Sequence, residues 1–138
     1  MIRFLILVFY YYLPVGFYII LIYILSSISV NVNNLPVISN DKFMHTLEYS
    51  VLGFLFMRAY LNTAGLNHKI RGIFTTVVFA FLLGSFDEYH QLFVPGRVVS
   101  LKDILADTIG GFIGSIFYIL VLYIRFRKER VYGQNNKI

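Results

Sequence analysis

The residues of this chain that could do chemistry fall into three short groups. His45, Glu48 and Tyr49 stand a helical turn apart. Asp87, Glu88 and Gln91 repeat that spacing, and Arg97, Ser100, Asp103 and Asp107 follow across a turn into another helical pattern. A histidine among carboxylates can serve as a general base, hold a divalent cation, or hydrogen-bond one helix to another. His45, Asp87 and Asp103 are therefore the candidate catalytic residues. Arg97 can pair with Asp87 or Asp103, or clamp a phosphate in a bidentate way that lysine cannot match. With Lys42 and Gln91 it forms the candidate headgroup-binding set. Ser100-x-x-Asp103 resembles a capping box, so Ser100 reads as a helix cap before it reads as a nucleophile. Asp87 and Glu88 are adjacent and point about 100° apart on a helix, which places Asp87 inward and Glu88 at the rim. The spacing fits no HExxH-type metal motif, and no cofactor is required, although a divalent cation is compatible with the residues.

These groups must be positioned by the elements around them, and those elements are apolar. Of 138 residues, 58% are hydrophobic and only 14% charged, and mean hydropathy is +0.71. A soluble domain of this length could not hide that much apolar surface. The expectation is one all-α integral membrane domain with four transmembrane helices, at about 4–30, 43–61, 72–91 and 103–125, followed by a frayed basic tail, 126–138. The first segment is too long for a cleaved signal peptide and reads as an anchor, kinked at Pro14. There is no cysteine, which excludes disulfides, thiolate metal sites and thiol nucleophiles.

Charge placement then sets the expected orientation. With the N-terminus inside, the inner flanks carry Arg3, Arg58, Lys69, Arg71, Arg125, Arg127, Lys128, Arg130 and Lys137, against Lys42, Arg97 and Lys102 outside. Both termini are thus expected in the cytoplasm, and the net charge of +5 is expected to meet membrane lipids rather than nucleic acid. The acids run the other way. Asp41, Glu48, Asp87, Glu88, Asp103 and Asp107 all fall at the outer end, and only Glu129 lies inside. The positive-inside rule does not demand this, because acids contribute little to topology.

Glycine follows each polar stripe one or two turns deeper: Gly53 after His45, Glu48 and Tyr49; Gly84 beside Asp87; Gly110, Gly111 and Gly114 after Asp103 and Asp107. Gly110-x-x-x-Gly114 is a small-xxx-small pattern that lets helices approach closely. The expectation is tight packing through these glycines, so that Asp41, as an N-cap, and the other polar residues converge. A buried ion-pair network that merely pins the helices is the plainer account. The excess of acids over bases at that end argues for more than structure.

Asp41-Lys42-x-x-His45-x-x-x-Tyr49, Asp87-Glu88-x-x-Gln91, Pro95-Gly96-Arg97-x-x-Ser100-x-x-Asp103 and the glycine-rich helix after them resemble the VanZ-like family of small bacterial membrane proteins. The resemblance spans roughly residues 41–114. It implies a bacterial plasma-membrane location and a link to envelope-directed antibiotics of the teicoplanin type; it supplies no reaction. One departure is Asp107, where the family usually has asparagine. An ionised aspartate only accepts hydrogen bonds, so this network needs an added donor, a proton or a cation. Three functions follow as expectations: binding of an anionic lipid or amphipathic antibiotic, catalysis on a lipid-linked phosphate headgroup as hydrolase or transferase, and, least favoured, ion coupling. Oligomeric state is not legible.

Overall fold

The computed structural model describes residues 2–28 and 41–135, with the side chains of Arg3, Phe4, Asp41 and residues 131–135 excepted. Helix α1 covers Ile2–Ser26, α2 Asp41–Ala64, α3 Lys69–Gln91 and α4 Leu101–Asn135; a single 3-10 turn, Leu66–His68, joins α2 to α3. Gly65 takes a positive φ of 103° there, a conformation that lets the chain leave α2 and re-enter a helix at once. Gly96, at φ 85°, does the same in the turn before α4.

The helices alternate in direction. Tyr12 meets Phe56 and Tyr18 meets Glu48, so α1 runs against α2. Phe56 stacks on Phe79 and Gly72 meets Met57, so α3 also runs against α2. Gly110 meets Thr46, Gly114 meets Ser50, and Phe54 meets Tyr118, so α2 and α4 are parallel neighbours. Among the described residues α2 lies at the centre, packed on all three other helices, while α1 only grazes α3. One end of this bundle therefore collects the N-termini of α2 and α4 with the C-termini of α1 and α3.

Packing depends on small residues at the α2–α4 crossing. A Cβ added at Gly114 would strike the Ser50 carbonyl oxygen and lie 2.7 Å from the Phe54 nitrogen. One added at Gly53 would strike the Gly111 carbonyl and lie 2.8 Å from its Cα. These are backbone atoms that cannot rotate aside. The remaining core forms two clusters. Val15, Ile22, Tyr49, Leu52, Ala59 and Ala80 fill the first; Met57, Leu61 and Tyr118 fill the second, farther from the N-terminus of α2.

Outside, the bundle is apolar: Phe9, Phe17, Phe74, Phe86, Leu105 and Phe117 are all exposed. Leu5–Ser26, Leu66–Gln91 and Leu101–Arg130 are each long and apolar enough to cross a membrane. Helix α2 falls outside that set, since it carries Lys42, His45, Glu48 and Arg58 in its length.

Several boundaries differ from the sequence expectation. Helix α1 ends at Ser26 rather than near residue 30, and α2 begins and ends a little beyond the apolar run. Helix α4 does not fray after residue 125 but continues to Asn135. The tail sequence RFRKER is rich in strong helix formers, and Arg125 pairs with Glu129 one turn on at 3.2 Å. Hydropathy marks where a helix leaves lipid, not where it stops. Pro14, where a kink is expected, lies inside the continuous helix α1. Of the three successive tyrosines Tyr10–Tyr12, Tyr11 and Tyr12 pack against the core, and the Arg58 guanidinium sits 5.1 Å from the Tyr11 ring.

Candidate functional site

The polar residues gather at the end where α2 and α4 begin. His45 on α2 and Asp107 on α4 are both buried, and His45 Nδ1 lies 3.0 Å from Asp107 Oδ1. The contact orients the ring, and with Asp107 ionised Nδ1–H is the donor. Gly84 makes room for the pair: a Cβ there would sit 2.6 Å from Asp107 Oδ2. On α3, Gln91 Nε2 donates to Asp87 Oδ2 at 3.0 Å, a contact one turn along the same helix. Gln91 thus holds an acid of its own helix.

Glu88 is not at the rim. It is 1% exposed, because the chain entering α4 folds over it and the Ser100 backbone N–H donates to its Oε2 at 2.7 Å. The 100° between Asp87 and Glu88 directs them to different partners rather than one of them to solvent. Ser100 caps α4: its Oγ accepts from the Lys102 N–H at 3.2 Å. Asp103, in the first turn of α4, is buried and forms an ion pair with Lys42, whose side chain is about half exposed.

Arg97 takes neither partner expected of it among the described residues. Its Nη2 donates to the Leu25 carbonyl at 3.3 Å, covering the C-terminal end of α1, and its charge lies within electrostatic reach of Glu48. The turn that carries it is apolar and outward: Leu92, Phe93, Val98 and Leu101 are all largely exposed. The Asp41 side chain lies outside the described residues.

The first helix also makes contacts at this end of the bundle. Tyr18 Oη donates to the Glu48 carbonyl at 3.2 Å. Ser27 Oγ donates to the Tyr23 carbonyl at 2.6 Å, so it must accept from His90 Nε2, 3.0 Å away, while the Tyr23 and His90 rings lie 4.6 Å apart. His90 therefore ties α1 to α3. The sequence signal for these links is thin: tyrosine and serine near the end of an apolar helix also suit an interfacial belt.

Acidic groups outnumber basic ones in this cluster. Glu48, Asp87, Glu88, Asp103 and Asp107 face Lys42, Arg97 and His45. Glu48 Oε1, Tyr49 Oη, Glu88 Oε1 and Asp107 Oδ2 are buried without a hydrogen-bond partner among the described residues. Each uncompensated buried ion costs on the order of several kcal/mol, so the surplus calls for a neutralising partner. Chemically, the arrangement supplies an oriented imidazole, a clustered set of carboxylates and a cationic rim set in apolar surface.

A family model described as VanZ/LLP1 matches residues 3–123, which takes in α2 and α3, nearly all of α1, α4 as far as Tyr123, and every residue of the cluster. No curated protein and no solved structure matches the chain.

Proposed function

The chain belongs to the VanZ/LLP1 family, and from that premise we propose that it is a multi-pass protein of the bacterial plasma membrane that binds the anionic headgroup of an amphiphile at the outer leaflet. In this reading α2 crosses the membrane inside the shelter of α1, α3 and α4, both termini are cytoplasmic, and the polar cluster faces the cell exterior. The basic residues of α4 beyond Ile124 then meet anionic lipid on the inner side.

One observation carries the headgroup reading. The cations Lys42 and Arg97 stand at the cluster's edge directly beside exposed apolar side chains: Phe43 and Met44 on α2, Phe93 and Val98 on the turn. A phosphate or carboxylate would meet the cations while its hydrocarbon lies along the apolar residues. The ligand class is an anionic lipid or an acylated antibiotic, and the family's teicoplanin connection favours an envelope-directed compound of that shape. The role would be to intercept such a compound or to adjust envelope lipids.

The experiment is binding of anionic and zwitterionic lipids, and of teicoplanin, to protein in nanodiscs. Anionic ligands should bind preferentially, and Arg97→Ala and Lys42→Ala should each weaken them severalfold at low salt. Equal binding of both headgroup types, or no effect of either substitution, refutes the reading.

A second reading is catalysis on the same headgroup, a hydrolase or transferase reaction. It is favoured by the buried His45–Asp107 pair, in which a carboxylate orients an imidazole as a general base requires. His45→Gln should abolish turnover of a lipid-phosphate substrate while leaving headgroup binding intact; turnover that survives it excludes this reading.

A further inference from the structure

The cluster contains a grouping that headgroup binding leaves unused. A ring nitrogen of His45 and one carboxylate oxygen from each of Glu88 and Asp103 lie within 4.8 Å of one another. All three residues are buried, at 7%, 1% and 2% exposure. We propose that His45, Glu88 and Asp103 form a binding site for one divalent transition-metal cation, Zn²⁺ or Mn²⁺. The proposal does not depend on the headgroup reading and goes beyond it.

The three ligands come from three different helices, α2, α3 and α4, so the bundle itself holds the set together. Each is anchored by a contact that a ligand needs. The Glu88 carboxylate is fixed through Oε2 by the Ser100 N–H, which leaves Oε1 buried with no hydrogen-bond partner among the described residues. A carboxylate oxygen withdrawn from water in this way is costly unless a cation meets it. His45 is oriented by Asp107, the carboxylate–histidine arrangement that positions imidazole in metal sites and raises its basicity. Asp103 receives positive charge from Lys42, a half-exposed side chain that can swing outward when a divalent ion takes over its role.

Geometry and donor type narrow the ion. Ligand atoms at about 2.1 Å from a shared metal stand about 3.0–3.5 Å from each other, so small side-chain movements close the set. One imidazole with two carboxylates and no sulfur suits Zn²⁺ or Mn²⁺; Ca²⁺ prefers six to eight oxygens, and Cu⁺ prefers thiolate or thioether. Three protein ligands also leave a coordination position for water or another oxygen.

The test uses the full chain, purified in detergent without added lipid, stripped with EDTA and dialysed. Zn²⁺ is titrated by competition with a fluorescent chelator, and Mn²⁺ by loss of the free-ion EPR signal. One ion per chain is expected, with affinity reduced at least tenfold in His45→Gln, Glu88→Gln and Asp103→Asn and unchanged in Glu129→Gln and His68→Gln. X-ray absorption of the Zn²⁺-loaded wild type needs no variant and should report a single imidazole among oxygen donors. No binding by the wild type at micromolar ion, equal binding by all variants, or two or more imidazoles on the metal would each overturn the proposal. The lipid assay above, run in EDTA, reads the headgroup independently.

Discussion

Replacing Gly114 by alanine adds one methyl group, and the structure says where it must go. The new Cβ would strike the Ser50 carbonyl oxygen and stand 2.7 Å from the Phe54 nitrogen and 2.8 Å from the Ser50 carbonyl carbon. All are backbone atoms of α2, so relief requires the two helices to separate rather than a side chain to turn. Restoring ordinary contact means a shift of more than about 1 Å, set by the carbonyl oxygen, the nearest of the three atoms. Overpacking of this kind costs about 1–3 kcal/mol, against which alanine gains about 1 kcal/mol of helix propensity over glycine. Gly16 supplies the control. A Cβ there meets nothing within 4 Å, so Gly16→Ala keeps the propensity gain and incurs no clash. The difference between the two variants isolates the packing cost, and thermal unfolding in detergent should place Gly114→Ala below Gly16→Ala by about 1–3 kcal/mol. The shift should also reach the site, since Asp107 lies two turns up the same helix and its bond to His45 is 3.0 Å long. Equal stability of the two alanine variants would refute the α2–α4 packing and the convergence of residues built on it.

Other outcomes follow from single contacts. Asp107→Asn retains an acceptor for the His45 Nδ1–H and should fold normally, whereas Asp107→Leu leaves a buried donor bare and should lose about 1–3 kcal/mol in the same unfolding assay. Ser100→Ala removes the α4 cap and should cost about 1 kcal/mol. Glu88→Ala frees the Ser100 N–H, and hydrogen exchange there should quicken while exchange in the α2 core stays unchanged. Because the chain has no cysteine, Val98→Cys and Lys69→Cys give clean single-label sites. An impermeant thiol reagent should modify intact cells at position 98 and reach position 69 only after permeabilisation; the reverse pattern overturns the proposed topology.

Helix number and the polar stripes were readable because each rests on a local period. His45 to Tyr49 and Asp103 to Asp107 declare a helical face without any knowledge of neighbours. The pairing of those faces was not readable to the same degree. That Arg97 covers the end of α1, and that Glu88 lies under the chain at Ser100, depends on where a turn folds in space, and its sequence FVPGRVVS fixes only that a turn exists. Likewise the apolar run ends near residue 125 while the helix continues, because hydropathy reports lipid and helix propensity reports backbone. His90 shows the limit from the other side. An isolated histidine at a helix end reads as interfacial, and only the position of Ser27, 63 residues earlier, makes it a tie between helices.

The parallel arrangement of α2 and α4 has a consequence in time. Parallel neighbours cannot be joined by a tight turn, so the whole of α3 must be made between them. His45 is separated from Asp107 by 62 residues, and at about 5–20 residues per second the ribosome takes roughly 3–12 s to supply the second after the first. On the proposed topology, α2 spends those seconds at the insertion machinery with its histidine and acid lacking the α4 half of their network. It is also the helix that does not qualify as a span by its own composition. Tyr18, already synthesised by then, donates to the Glu48 carbonyl in the folded structure and would be the available escort. On that topology the order of synthesis would leave α2 resting against α1 until α4 arrives to complete the network.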